Sequence, residues 1–196
     1  MIERRHGRWL LSERTRAWLG SGTPLGDLPN MVSLGIAIEW GARRLVLAGD
    51  IENGDGGPYS GWAGVLEYLD RPDDQRGRLV DDVDLIKVAH HGSSGAFSKL
   101  AWQRHARTAK TIGIVTTYSP SRLPDHDTLK ALRSHCGRLG IAADAGAAFD
   151  RAMEAGWAVA DAADPAPAST APCLQVVLGP DGSRAFRRGQ SSGWFE

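Results

Sequence analysis

Two apolar runs in this chain break off into polar residues at the same relative point. Arg44-Leu45-Val46-Leu47-Ala48 ends in Gly49-Asp50-Ile51-Glu52, and Val83-Asp84-Leu85-Ile86-Lys87-Val88-Ala89 ends in His90-His91-Gly92-Ser93-Ser94. Short runs rich in Leu, Val and Ile bounded by turn residues read as buried strands. Loops at the ends of rigid strands are where binding and catalytic groups concentrate. A carboxylate closing one strand and paired imidazoles closing another therefore constrain both the fold and the chemistry.

The pattern around these runs alternates. Met31 to Trp40 and Arg44 to Ala48 predict two strands joined by a tight turn at Gly41-Ala42-Arg43. Ser60 is placed to cap a helix carrying Trp62, Val65, Leu66 and Leu69, and Phe97 to His105 has an amphipathic helical spacing. Thr111 to Tyr118 is β-rich, Asp127 to Leu132 opens another helix, and Gly179-Pro180-Asp181-Gly182 separates two strand-like runs, Cys173 to Leu178 and Ser183 to Phe186. Strands alternating with helices predict a layered α/β domain. The expected organisation is an irregular N-terminal segment over 1–30, a main domain over 31–163, a Pro/Ala linker over 164–172 and a C-terminal β-hairpin over 173–196 that packs on the same domain.

Composition narrows the function classes. A chain of 196 residues with 42% hydrophobic content can bury one sizeable core. Lys+Arg 23 against Asp+Glu 23 gives zero formal charge, so there is no strong basic nucleic-acid signature and any such contact must be local. Cys136 and Cys173 have neither disulfide-scaffold nor zinc-ribbon spacing. No run approaches the roughly 20 apolar residues of a membrane span, and a cytoplasmic protein is expected. A Gly-x-Ser-x-Gly elbow, a P-loop, a dinucleotide fingerprint and His-Glu-x-x-His are all absent.

Each candidate residue has a structural and a chemical reading. Asp50 after Gly49 is a turn residue or a carboxylate able to bridge cations. His90 and His91 are structural or metal-binding, and because adjacent side chains of a strand point to opposite faces, one of the two is expected to coordinate. His126 either belongs to an Asp-His pair capping a helix or acts as a further ligand or proton donor. Ser93 and Ser94 cap a helix or help hold a phosphate. His105 and His135, beside arginines in predicted helices, are expected to be solvated, and His6 lies near the terminus.

The order of these motifs resembles the second half of a metallo-β-lactamase-fold hydrolase, most closely the ComEC-like subgroup. The resemblance runs from Leu28-Pro29-Asn30-Met31-Val32-Ser33-Leu34, through Leu47-Ala48-Gly49-Asp50-Ile51-Glu52 and Asp84-Leu85-Ile86-Lys87-Val88-Ala89-His90-His91-Gly92-Ser93, to Leu123-Pro124-Asp125-His126-Asp127-Thr128-Leu129. It implies half of an αββα sandwich with a mixed β-sheet, and a metal-dependent hydrolase of phosphodiesters or related esters. The implied cofactor is zinc or manganese at a dinuclear site. Asp50, His90, His91 and His126 would be metal ligands, with Asp50 and His126 catalytic and His91 and Ser93 contacting substrate.

The sequence departs from that family in one decisive place. The principal metal motif, His-x-His-x-Asp-His, is absent, and Leu123 stands where the later loop would carry its first histidine. A catalytic ion needs about three protein ligands, so a full site requires a partner chain that supplies the absent half. The alternatives are a catalytically degenerate binding or regulatory subunit, and an unrelated α/β domain. If the second half of a sandwich is present alone, its inner sheet face should be apolar and exposed.

Overall fold

A computed structural model describes residues 2–5, 8–11, 30, 33–53, 61–70, 80–106, 110–142, 174–181, 183–188 and 193–195. The chain order is β1 (Ile2–Arg5), β2 (Arg8–Leu11), β3 (Ile36–Trp40), β4 (Arg43–Leu47), α1 (Gly61–Leu69), β5 (Leu85–Lys87), α2 (Lys99–His105), β6 (Ile112–Thr116), α3 (His126–His135), β7 (Arg138–Ala142), β8 (Leu174–Leu178), β9 (Arg184–Arg188) and β10 (Gly193–Phe195). The principal sheet has six strands in the order β10-β7-β6-β5-β4-β3. Strands β4 to β7 are parallel to one another, and β3 and β10 pair antiparallel at the two ends. The α/β class with a mixed sheet is thus observed.

Each parallel crossover passes through a helix, and the three helices share one face of the sheet. Val46, Ile86, Val115, Leu139 and Ile141 on the strands pack there with Trp62, Ala101, Trp102, Leu129 and Leu132 on the helices. The alternation of strand side chains sends the intervening residues to the other face. There Leu85, Ile112 and Trp194 form a second cluster with Leu45, Ile114, Leu174, Val176, Leu178 and Phe186. The separate hairpin β8–β9 supplies Leu174, Val176, Leu178 and Phe186 to that second cluster. A Cβ on Gly140 would lie 2.6 Å from Leu174 and 2.7 Å from the Trp194 ring, so the missing side chain leaves room for both.

At the amino ends of the parallel strands the hairpin is tied down by charge. Buried Arg43 donates from Nε and Nη2 to the Gly179 carbonyl at 3.0 and 2.9 Å, and from Nη1 to Asp84 Oδ1 at 2.7 Å. Asp84 Oδ2 accepts from the Arg44 amide at 3.0 Å. These charge-assisted bonds satisfy a guanidinium that would otherwise be costly to bury.

Beyond the hairpin's cover the second face opens at β3. Register places Ile36, Ile38 and Trp40 on the same face as Leu47 and Leu45, yet they are 44%, 39% and 67% exposed, and Leu34 just before them is 66% exposed. Among the described strands β3 is one of the two edges of this sheet, and its apolar face is uncovered.

Several expectations are corrected. Residues 2–5 and 8–11 are not irregular but form an antiparallel hairpin, with only His6-Gly7 between the strands. Strands β7 and β10 were not anticipated. His105 is buried rather than solvated: it lies on the α2 face that carries Ala101 and Trp102, with its ring 5.6 Å from that of Trp62 and Nδ1 2.6 Å from the Val80 carbonyl. His135 is half-buried against Phe97 and Trp102. The predicted cap Ser60 and the 164–172 linker lie outside the described residues, as does His6. Among the described residues no helix is long and apolar enough to cross a membrane.

Burial of His105 has a thermodynamic consequence. Desolvation, with a smaller push from Arg104, holds its pKa below the ordinary 6.5 against the opposing pull of the Val80 carbonyl and Asp81. The unfolded chain then binds a proton that the folded one refuses, so stability is full above about pH 6.5 and falls as the pH drops toward the folded value. Denaturant unfolding between about pH 7 and 5 should show this loss. His105→Gln should flatten most of it, leaving a residue from His135, which burial and Lys99 lower as well. An unchanged slope in the variant would contradict this assignment.

Candidate functional site

The carboxyl ends of β4, β5 and β6 carry the chemistry-bearing residues, the position at which ligands bind in open parallel sheets. After β4 the chain turns through Gly49, whose φ of +54° and close approach to the Leu34 carbonyl, 2.5 Å from a would-be Cβ, exclude other residues. The peptide joining Gly49 to Asp50 is held at both of its polar atoms. Its carbonyl accepts from the His90 amide at 2.9 Å and from Lys87 Nζ at 3.2 Å, and its N–H donates to Ser33 Oγ at 3.2 Å. The Asp50 turn and the histidine turn are therefore fastened directly to each other.

After β5 the backbone does something unusual. His90 and His91 have φ of 41° and 53°, and Gly92 follows at 74°. Two consecutive non-glycine residues in the left-handed region cost about 1–2 kcal/mol each, strain of the kind that collects at functional sites. Strand alternation, from which one coordinating imidazole is expected, does not apply to such a left-handed turn. The rings lie 6.4 Å apart, near edge-to-face.

Both rings are oriented through Nδ1. His90 Nδ1 lies 2.6 Å from Glu52 Oε1 and 3.3 Å from Ser93 Oγ. Glu52 is itself fixed, since its side chain accepts from Asn30 Nδ2 at 3.0 Å and its carbonyl accepts from the Trp62 amide at 2.8 Å. His91 Nδ1 lies 3.2 Å from the Thr116 carbonyl and 3.0 Å from Thr116 Oγ1, with its ring stacked on Tyr118 at 5.2 Å. The Glu52 carboxylate can only accept, which favours a proton on His90 Nδ1, whereas His91 Nδ1 can either donate to the Thr116 carbonyl or accept from the Thr116 hydroxyl. A carboxylate behind a histidine is also the arrangement that orients metal-binding imidazoles.

His126 begins α3 immediately after the cap, Asp125, whose Oδ1 accepts from the Thr128 amide at 3.0 Å. The Asp125 amide donates to the Gly92 carbonyl at 3.0 Å, so the start of α3 abuts the histidine turn. Ser93 does not cap a helix with its side chain; its hydroxyl faces His90. Asp50, His90, His91, Ser93 and His126 are thus carried by adjoining turns at one end of the sheet.

Glu52 and Lys87 join this constellation without having been singled out from the sequence. Glu52 stands two residues after Asp50, and Lys87 is the one charge in Leu85–Ala89, so the alternation of the run carried the signal. Burial holds the Lys87 ammonium below the ordinary lysine value, with Asp50 pulling the other way.

The constellation does not amount to a metal centre. Among the described residues no three of His, Cys, Asp and Glu come together as a cation-holding group. Cys136 is no substitute: its thiol is buried, donates to the Leu132 carbonyl at 3.2 Å and is pushed up to about 11 by desolvation. No protein-family model matches the sequence, and no curated protein or solved structure compared with it matches.

The backbone strain gives a direct test. His91→Gly and His91→Ala lose the same imidazole contacts, but glycine accepts a positive φ. His91→Gly should therefore be the more stable of the two by about 1 kcal/mol in denaturant unfolding. Equal stability would mean that the left-handed conformation at His91 is not adopted.

Proposed function

We propose that this chain is the aspartate- and histidine-bearing half of a metallo-β-lactamase-type hydrolase, acting on phosphodiesters or related esters. The remaining ligands come from a partner polypeptide. The observation that carries the reading is the fastening of the Asp50 turn to the His90–His91 turn through the Gly49 carbonyl, which puts a carboxylate and two imidazoles on adjoining turns. In this reading Asp50, His90, His91 and His126 are the chain's candidate ligands, and since no three of them come together among the described residues, only some would reach one ion. The described residues alone do not fit a catalytic zinc or manganese ion, which needs about three ligands in defined geometry.

The uncovered face of β3 supports the same reading. Ile36, Ile38 and Trp40 lie on the side of the sheet to which Leu47 and, one strand further, Lys87 belong. A second sheet packed there would complete a sandwich and reach the Asp50 turn. The partner surface that fits is an apolar sheet face with histidine and aspartate at its rim.

A second reading, a metal-poor binding or regulatory subunit, is favoured by the lack of a three-ligand group among the described residues. One experiment separates the two. Manganese binding to the isolated chain, followed by the loss of free-ion electron paramagnetic resonance signal, should show one weak site that Asp50→Ala weakens about tenfold or more. Binding that is absent in wild type as well as variant would favour the regulatory reading. Binding of equal strength in both would remove Asp50 from the site and contradict the hydrolase reading.

A further inference from the structure

Lys87 occupies an improbable place for a lysine. Strand β5 lies inside the six-stranded sheet, and the cross-strand row through Lys87 on the hairpin face reads Trp194, Gly140, Ile114, Lys87, Leu47, Ile36. Every other member of that row is apolar or glycine. An ammonium withdrawn from water in such surroundings is disfavoured relative to a methionine of similar shape. Its presence has to be explained by what it touches.

We propose that Lys87 is a positioning residue of the site, pinning the peptide that carries Asp50 and through it the register of the two turns. The purpose rests on the half-site reading above, while the geometry stands without it. The Gly49 carbonyl uses both acceptor directions, one for the His90 amide at 2.9 Å and one for Lys87 Nζ at 3.2 Å. Glycine at φ +54° does not resist rotation of its own peptide plane as a branched residue would. Orientation of the Asp50 carboxylate therefore depends on the bonds to this peptide, and Lys87 and Ser33 supply the two side-chain members.

The rival role, a bare positive charge beside Asp50, makes the opposite prediction for cations. By Coulomb's law alone, removing the ammonium relieves repulsion and tightens binding of a divalent ion. Loss of positioning weakens it.

The test uses the full chain with Lys87→Met and Lys87→Arg. Without metal, amide hydrogen exchange at His90 should be about tenfold faster in Lys87→Met, while Val88, whose amide bonds the Ile114 carbonyl, keeps its protection. Lys87→Arg, which restores a charged donor, should recover most of the His90 protection. Manganese affinity should fall in Lys87→Met. Unchanged His90 exchange, or a rise in manganese affinity, overturns the proposal. A wild-type protein that binds no manganese defeats the half-site reading instead, and the exchange data still decide the role of Lys87. Should Lys87→Met fail to fold, the wild-type ammonium is the second readout: slowly exchanging Nζ protons support the proposal and rapidly exchanging ones refute it.

Discussion

The site depends on a single peptide group, the one between Gly49 and Asp50. Its carbonyl and its N–H are both bonded, to His90, Lys87 and Ser33. This group joins the end of β4 to the end of β5, and the bond between Asp125 and Gly92 extends the connection to α3. Three separate crossovers thereby deliver their polar residues to one rim. Without the Gly49 acceptor, the left-handed histidines would have no long-range bond at the His90 amide to offset their strain.

The two ends of the parallel sheet do different work. At the amino ends, Arg43, Asp84 and the Gly179 carbonyl form a saturated clamp whose effect is structural, fixing the β8–β9 turn against the sheet. At the carboxyl ends the contacts instead join separate turns to one another. His90 and His91 each make their contacts to Glu52, Ser93 and Thr116 through Nδ1. The helix-facing core follows ordinary packing, whereas the opposite face carries a half-buried lysine and an uncovered β3. That asymmetry sets the half-site reading apart from a self-sufficient enzyme.

Much of the fold was legible because its signals are local. The β3–β4 hairpin announced itself by two apolar runs flanking Gly41, and the parallel strands by Leu, Ile and Val bounded by turn residues. Strand β7 was hidden because Gly140, which makes room for Trp194, interrupts its apolar pattern. Strand β10 is too short to show any period. His105 and His135 were misread because their arginine neighbours suggest solvent, while the helical face that buries them is set by Trp102 and by contacts distant in sequence.

Of the site, the individual residues were legible and their relations were not. Asp50, His90, His91, Ser93 and His126 stand out at strand and helix ends, but the left-handed turn that carries both imidazoles depends on bonds to Gly49 and Thr116. Glu52 and Lys87 were overlooked because a charge inside or just after an apolar run reads as an interruption. The central claim is that the Glu52 carboxylate on the first turn holds the His90 ring of the second with a proton on Nδ1. Side-chain nitrogen-15 NMR above the histidine titration range measures this directly. The account predicts a protonated Nδ1 and a bare Nε2 for His90, and a neutral His90 ring with its proton on Nε2 would contradict it.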